Sequence, residues 1–438
     1  VIHKKTMGSW VETANIESCD FPIENLPYGC FQIKNDASSR QLLGVAIGDQ
    51  ILPLSGLTQK IEIPNNLKAA FYLFDDVNLN AFMALPESIQ DSCRLFLTEL
   101  LKLGNIHENQ LRSMLIPQSS VEMLLPCKIP DFTDFYSGIH HATNVGLMLR
   151  PDQPLNPNYD WIPVAYHGRS SSIIPSGIPV VRPMGQTRAS GGKPPYFQAS
   201  RKLDYELELG IFIGQANPQG QAIGINQAER HFFGMCLLND WSARDIQAWE
   251  AAPLGPFLAK NFATTISPWI VTRKALEPFR KPWIRSESSP SALPYLDSNL
   301  NSECGAIEIH LEVYLQTSLM KEKSFAPQKI AYSEYRSAAY WTVAQLITHH
   351  ASNGCNLNSG DLLGTGTLSG ELAEQAGSLL ELSQGGKKPI ELNSGEQRTF
   401  LEDGDTVIFK AFCEGKDTVR IGFGECKSQI ISKNTMES

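Results

Sequence analysis

The 438-residue sequence contains no Cys-x-x-Cys pair, no long basic cluster and no internal repeat. It also has no apolar run approaching the about 18–20 residues of a membrane span. Each absence excludes something. The nine cysteines, at 19, 30, 93, 127, 236, 304, 355, 413 and 426, are odd in number and scattered, so reduced structural thiols in a cytoplasmic protein are expected. The nine histidines pair only at His140-His141 and His349-His350, without thiols at finger spacing, so zinc is poorly supported. A net charge of -9 argues against nucleic acid as a partner. The first ten residues lack the apolar core of a secretory signal. No Gly-x-Ser-x-Gly elbow is present, which disfavours a serine nucleophile. The glycine-rich run Gly360–Gly370 lacks the Lys-Ser/Thr ending of a phosphate loop.

What is present is a mainly β pattern with some helix. Glycine (33) and proline (27) are plentiful and spread along the chain, as many loops and short strands require. Residues 1–19 read as a polar leader. Leu42–Leu54 reads as a hairpin turning at Gly48-Asp49. Residues 86–100 are apolar at 89, 93, 96, 97 and 100, the spacing of a helix, and a second helix is expected over about 107–115. Prolines at 126 and 130 mark a boundary, giving a small domain over 20–125 and a larger one over 126–438. Residues 150–200 are dominated by Pro, Gly and Ser, so their regular elements must be short. The spacing Asn226-x-x-Glu229 predicts a capped helix through about Phe233. Residues 275–302 read as a surface excursion, and 306–316 as an alternating strand. Tyr332 to His350 reads as the longest helix, with Ser333 as its cap.

The chemistry concentrates in 203–260. On a strand, Glu206 and Glu208 share one face and Leu207 and Leu209 the other. Glu-x-Glu on a strand is most often a solvated face. Here Asp240 ends a separate apolar run, and Trp241, Arg244, Gln247 and Lys260 crowd the same region. With Asp134 these carboxylates make a candidate all-oxygen site for a hard cation, Mg²⁺ or Ca²⁺. His141 is the candidate proton-transfer group, with Glu381 its candidate orienting carboxylate. Isolated histidines such as His310 and His349 are better read as structural. A His–carboxylate pair without a nucleophile elbow points to water as the nucleophile.

Longer segments carry a resemblance. Asp20–Gly29, Asp131–Ser137, His141–Gly146, Tyr166–Arg169, Arg182–Gln186, Asn239–Gln247, Pro253–Leu258, Asn353–Leu357, Gly377–Ser383 and Arg420–Gly424 resemble the fumarylacetoacetase (fumarylacetoacetate hydrolase) family, over nearly the whole chain from Asp20 to Cys426. The resemblance implies a small N-terminal SH3-like barrel domain and a larger C-terminal mixed β-roll. It implies a homodimer that needs no membrane, with one divalent cation, Mg²⁺ or Ca²⁺, in each active site. It further implies hydrolysis of the carbon–carbon bond of 4-fumarylacetoacetate, a small anionic diketo acid, to fumarate and acetoacetate in tyrosine and phenylalanine breakdown. Asp134, Glu206, Glu208 and Asp240 fall on the family's metal ligands, with Lys260 and Thr264 beside them. His141 falls on the general base and Glu381 on its orienting carboxylate. Arg244, Gln247 and Lys260 fall on groups that bind the leaving part, and Tyr136, Arg150, Tyr166 and Thr367 on pocket positions. One departure stands out: Ala251 occupies a place where the family usually carries tyrosine. Two other classes stay open, a decarboxylase or isomerase using the same carboxylates, and a binding module without catalysis.

Overall fold

A computed structural model describes residues 8–36, 40–188, 191, 193–286 and 289–432. The N-terminal part folds around a five-stranded antiparallel sheet of order β4-β3-β2-β1-β5, with β1 Tyr28–Ile33, β2 Leu42–Ile47, β3 Gln50–Pro53, β4 Ile116–Pro117 and β5 Val121–Leu124. The Gly48-Asp49 turn joins β2 to β3, with Ile47 opposite Gln50. The helix α1, Glu87–Leu101, buries Cys93, Leu97, Leu100 and Leu101. The second expected helix is one short turn, Glu108–Arg112.

The leader is not a free polar segment from residue 8 onward; residues 1–7 lie outside the described residues. Trp10, Val11 and Ala14 belong to the N-terminal core, and the Trp10 indole donates to Leu100 O at 2.9 Å. One tryptophan among polar neighbours carries no periodicity, so the sequence pattern cannot reveal its docking.

The larger part is built on two sheets. The first carries β6 Phe132–Phe135, β7 Ala165–His167, β8 Ile173–Pro175, β9 Leu207–Ile213, β10 Phe232–Asp240 and β11 Thr264–Ile266. The second contains β12 His310–Gln316 and β13 Gln328–Glu334. The strand β14, Leu362–Gly364, returns to the first sheet, whose order is β7-β6-β14-β9-β10-β11-β8. Two long strands, β15 Thr406–Gly415 and β16 Thr418–Ile431, extend the second sheet beyond β12. β6 and β14 run parallel with Asp134 beside Gly364, while β9 is antiparallel to both β14 and β10. Every residue of β9 and β10 is buried, so neither face is solvated. The result is a mixed β-roll with a smaller N-terminal barrel-like domain.

Two helix expectations are corrected. Glu229 does not serve a capping box: its carboxylate pairs with Arg280 at 2.6 and 3.0 Å. Only a short turn, Ala228–Arg230, precedes β10. Ser333 does not cap a helix, because Gln328–Glu334 pairs with β12 and Leu311 faces Ser333 across the ladder. The helix there is Val343–Ala351, opened by Thr342 and Gln345, which form a reciprocal capping box. The longest helix among the described residues is α1. No helix among them is long and apolar enough to cross a membrane.

Trp10→Ala removes a fully enclosed indole and is expected to cost about 3–5 kcal/mol. Denaturant unfolding of the full chain measures it, and a loss under ~0.5 kcal/mol would return residues 8–19 to a detachable leader.

Candidate active site

Four neighbouring strands, β6, β14, β9 and β10, assemble the site, three with acids and β14 with a glycine. Asp134 lies on β6, Glu208 on β9, Glu206 just before β9, and Asp240 at the end of β10. Because β14 runs between β6 and β9, Gly364 stands between Asp134 and Glu208. A Cβ there would sit 2.4 Å from Asp134 Oδ1 and 3.0 Å from Glu208 Oε2. Glycine is what lets the two carboxylates close. All four carboxylates are buried and offer oxygens within 4.8 Å of one another.

Such a cage needs positive charge. Lys260 Nζ donates to Glu206 Oε2 at 2.5 Å and to Asp240 Oδ2 at 2.6 Å. Arg244 Nη1 donates to Glu206 Oε1 at 2.6 Å and its Nε to Asp204 Oδ2 at 2.9 Å. Tyr166 OH and Thr264 Oγ1 donate to Asp240 at 2.9 and 3.3 Å. Counting Asp204, five buried carboxylates still face only two buried cations. The imbalance is visible in the acids themselves. Burial, reinforced by neighbouring carboxylates, holds Asp134 and Glu208 well above the usual range. Burial also opposes ionisation of Glu206, but Lys260 and Arg244 outweigh it and keep that group below the usual range. Asp134 Oδ1 and Glu208 Oε1 are buried without a hydrogen-bond partner. Unpartnered carboxylate oxygens converging on one point, all hard donors, fit a divalent cation of the Mg²⁺ or Ca²⁺ kind.

Beside the cage stands a second unit. The helix α2, Ile139–Leu149, carries His141, whose Nδ1 lies 2.6 Å from Glu381 Oε2. Asn144 donates to Glu381 Oε1, while Ser369 and Ser378 donate to Oε2. Burial works to raise the Glu381 acid, but the His141 ring and these donors bring it down to about 2. Glu381 is therefore a carboxylate at neutral pH, and its bond to Nδ1 leaves Nε2 of His141 for the cavity.

The cavity above these groups is about 970 Å³ and is lined by Asp134, Tyr136, His141, Tyr166, Glu206, Arg244, Gln247, Lys260 and Thr367, with Ala251 at its wall. Glu208, Asp240, Thr264 and Glu381 stand behind the wall and act through their contacts. The structure does not bring Arg150 into it. Arg150 is exposed at the end of α2, and its Nη2 donates to Pro154 O. The pattern also passed over Asp204, Asn144, Ser369 and Ser378. None sits in a motif with metal or acid–base spacing, and the only clue was Asp204 two residues before the Glu-x-Glu.

This geometry defines an enzyme with an acidic cage and a His–carboxylate pair at one cavity. Family models place it further: "Fumarylacetoacetate (FAA) hydrolase C-terminal" matches residues 132–431, and "Fumarylacetoacetase N-terminal" matches 24–126. The chain belongs to the fumarylacetoacetate hydrolase family. It is 46% identical over 420 residues to the fumarylacetoacetases of Rattus norvegicus and Homo sapiens, covering 95% of this chain and 97% of each relative. The fumarylacetoacetase of Arabidopsis thaliana is 44% identical over 418 residues, 94% of this chain and 96% of that one. A solved fumarylacetoacetate hydrolase from Exiguobacterium antarcticum shares the fold, with a TM-score of 0.50 at 16% identity over 93% of this chain and 100% of that one. The chain is an enzyme of the fumarylacetoacetase type.

Since Asp134 and Glu208 hold protons to unusually high pH, a cation must displace them. Affinity for Mg²⁺ is therefore expected to rise with pH above the ordinary carboxylate range, with proton release on binding. Calorimetry in buffers of different ionisation enthalpy tests this, and pH-independent binding without proton release contradicts it.

Proposed function

We propose that this enzyme hydrolyses the carbon–carbon bond of 4-fumarylacetoacetate, giving fumarate and acetoacetate, the last step of tyrosine and phenylalanine breakdown. The observation that carries the reading is that the four-carboxylate cage and the His141–Glu381 pair meet at one cavity, reaching it through Asp134, Glu206 and His141. Asp134, Glu206, Glu208 and Asp240 would hold the divalent cation. When bound, that cation supplies positive charge to draw in the 1,3-dicarbonyl oxygens and polarise the carbonyl to be attacked.

His141, fixed by Glu381, takes a proton from water at Nε2. The hydroxide adds to the carbonyl on the fumaryl side, and the tetrahedral alkoxide collapses with cleavage of the carbon–carbon bond. The departing electron pair is tolerable only as an enolate. Lys260, buried and kept charged by Asp240 and Glu206 against the opposing effect of burial, and Gln247 are the cavity donors suited to that oxygen. The imidazolium of His141 returns its proton to the enolate carbon, completing acetoacetate. Tyr136, Tyr166 and Thr367 shape the pocket, and Thr367 Oγ1 is a buried hydroxyl without a protein partner. Burial first, then Asp240 and Asp134, keep the Tyr166 hydroxyl protonated as a donor.

The assembly read here is a homodimer. Trp249 within Arg244–Glu250, Leu254 and Phe257 just after it, and Met184 and Phe197 on the adjoining hairpin expose large apolar side chains beside the cavity mouth. The unpaired cysteines support a reducing, cytoplasmic setting.

Metal-stripped protein is expected to be inactive and to release both fumarate and acetoacetate once Mg²⁺ or Ca²⁺ is restored. Binding of the cation without turnover would drop the named substrate, and faster turnover of oxaloacetate or an acylpyruvate would favour the decarboxylase or isomerase class.

His141→Ala is expected to lower kcat by about 10²–10⁴ while retaining the cation. Glu208→Gln should weaken cation binding and turnover together. A near-normal rate in the His141 variant would put the base elsewhere.

A further inference from the structure

Asp204 is completely buried, and no step above uses it. Leu203-Asp204 pairs with Ser242-Ala243, which sets Asp204 beside the start of the helix α3, Arg244–Glu250. Its carboxylate receives four donors. Arg244 Nε and Leu380 N reach Oδ2 at 2.9 Å each, while Leu379 N at 2.7 Å and Tyr205 N at 2.9 Å reach Oδ1. Leu379 and Leu380 open the short helix Leu379–Leu382, and the next residue is Glu381.

Both ends of this contact reach working groups. On one side Arg244 Nη1 holds Glu206 Oε1 at 2.6 Å. On the other, Glu381 Oε2 stands 2.6 Å from His141 Nδ1. A continuous buried path therefore runs from Glu206 through Arg244 and Asp204 to the first turn carrying Glu381, and on to His141. Such outer contacts commonly set the orientation of the groups that act.

We infer that Asp204 is a positioning residue that locks the His141–Glu381 pair in register with the metal cage. This deepens the proposed function and rests on its reading of His141 as the base. The carboxylate is needed because all four neighbours are donors. An amide would offer one acceptor and turn an N–H toward Arg244 or Leu380, releasing one end of the path. If Asp204 merely completed a buried hydrogen-bond set, its loss would lower stability and leave the imidazole untouched.

The test uses the full chain, metal-free, labelled with ¹⁵N-histidine. The downfield resonance of the His141 Nδ1 proton is assigned by its loss in His141→Ala. Asp204→Asn is expected to shift or abolish it, and in the Mg²⁺-loaded enzyme to lower kcat by about 10–100-fold with Mg²⁺ affinity within about threefold of wild type. Should that variant not fold, Arg244→Lys keeps the charge but gives up the Nε contact, and it should move the same resonance from the far end of the path. An unmoved resonance in either folded variant overturns the inference, even where kcat falls, because Asp204 would then act on the cage alone. Full activity of His141→Ala would instead overturn the reading of the base, whatever the resonance does.

Discussion

Four carboxylates within 4.8 Å of one another, all buried, repel strongly, and the rest of this site is arranged around that repulsion. Lys260 and Arg244 neutralise part of it through Glu206 and Asp240, leaving Asp134 and Glu208 as the two oxygens-rich ends without a protein cation. Removing one partner of such a buried pair typically costs about 3–5 kcal/mol, because the other charge is stranded. The cage thus carries more buried negative charge than its protein cations balance.

The sheet is what makes the cage possible. Strands β6, β14, β9 and β10 are neighbours, and their pleat delivers the acids to one end of the roll. A side chain at Gly364 would separate Asp134 from Glu208, so the absence of a Cβ is a positive requirement of the geometry. The helix bearing His141 must then approach closely. Gly138, which precedes that helix, allows this: a Cβ there would meet Thr367 O at 1.9 Å.

Two electrostatic environments result within one cavity. In the cage, burial and mutual repulsion push two acids well above the usual carboxylate range. At Glu381, a histidine and three side-chain donors hold a buried acid fully ionised. The first environment suits capture of a cation, and the second suits holding an imidazole in one tautomer. The same residue type performs both tasks because its neighbours differ.

The sequence by itself determined the candidate acidic set, the His–carboxylate candidates and the mainly β character, since these follow from residue type, alternation and long family-like segments. It also determined α1, whose apolar spacing is sustained over fifteen residues. Local signals failed where a distant partner competed. Arg280 takes the Glu229 carboxylate from its expected cap, and pairing with β12 draws Ser333 into a strand. Only the tertiary structure decided that Trp10 anchors the first residues, that Arg150 stands outside the cavity and that Asp204 joins the two halves of the site. The Trp10 and Asp204 contacts join residues far apart in the chain, and a linear pattern records which groups are available without recording which of them meet.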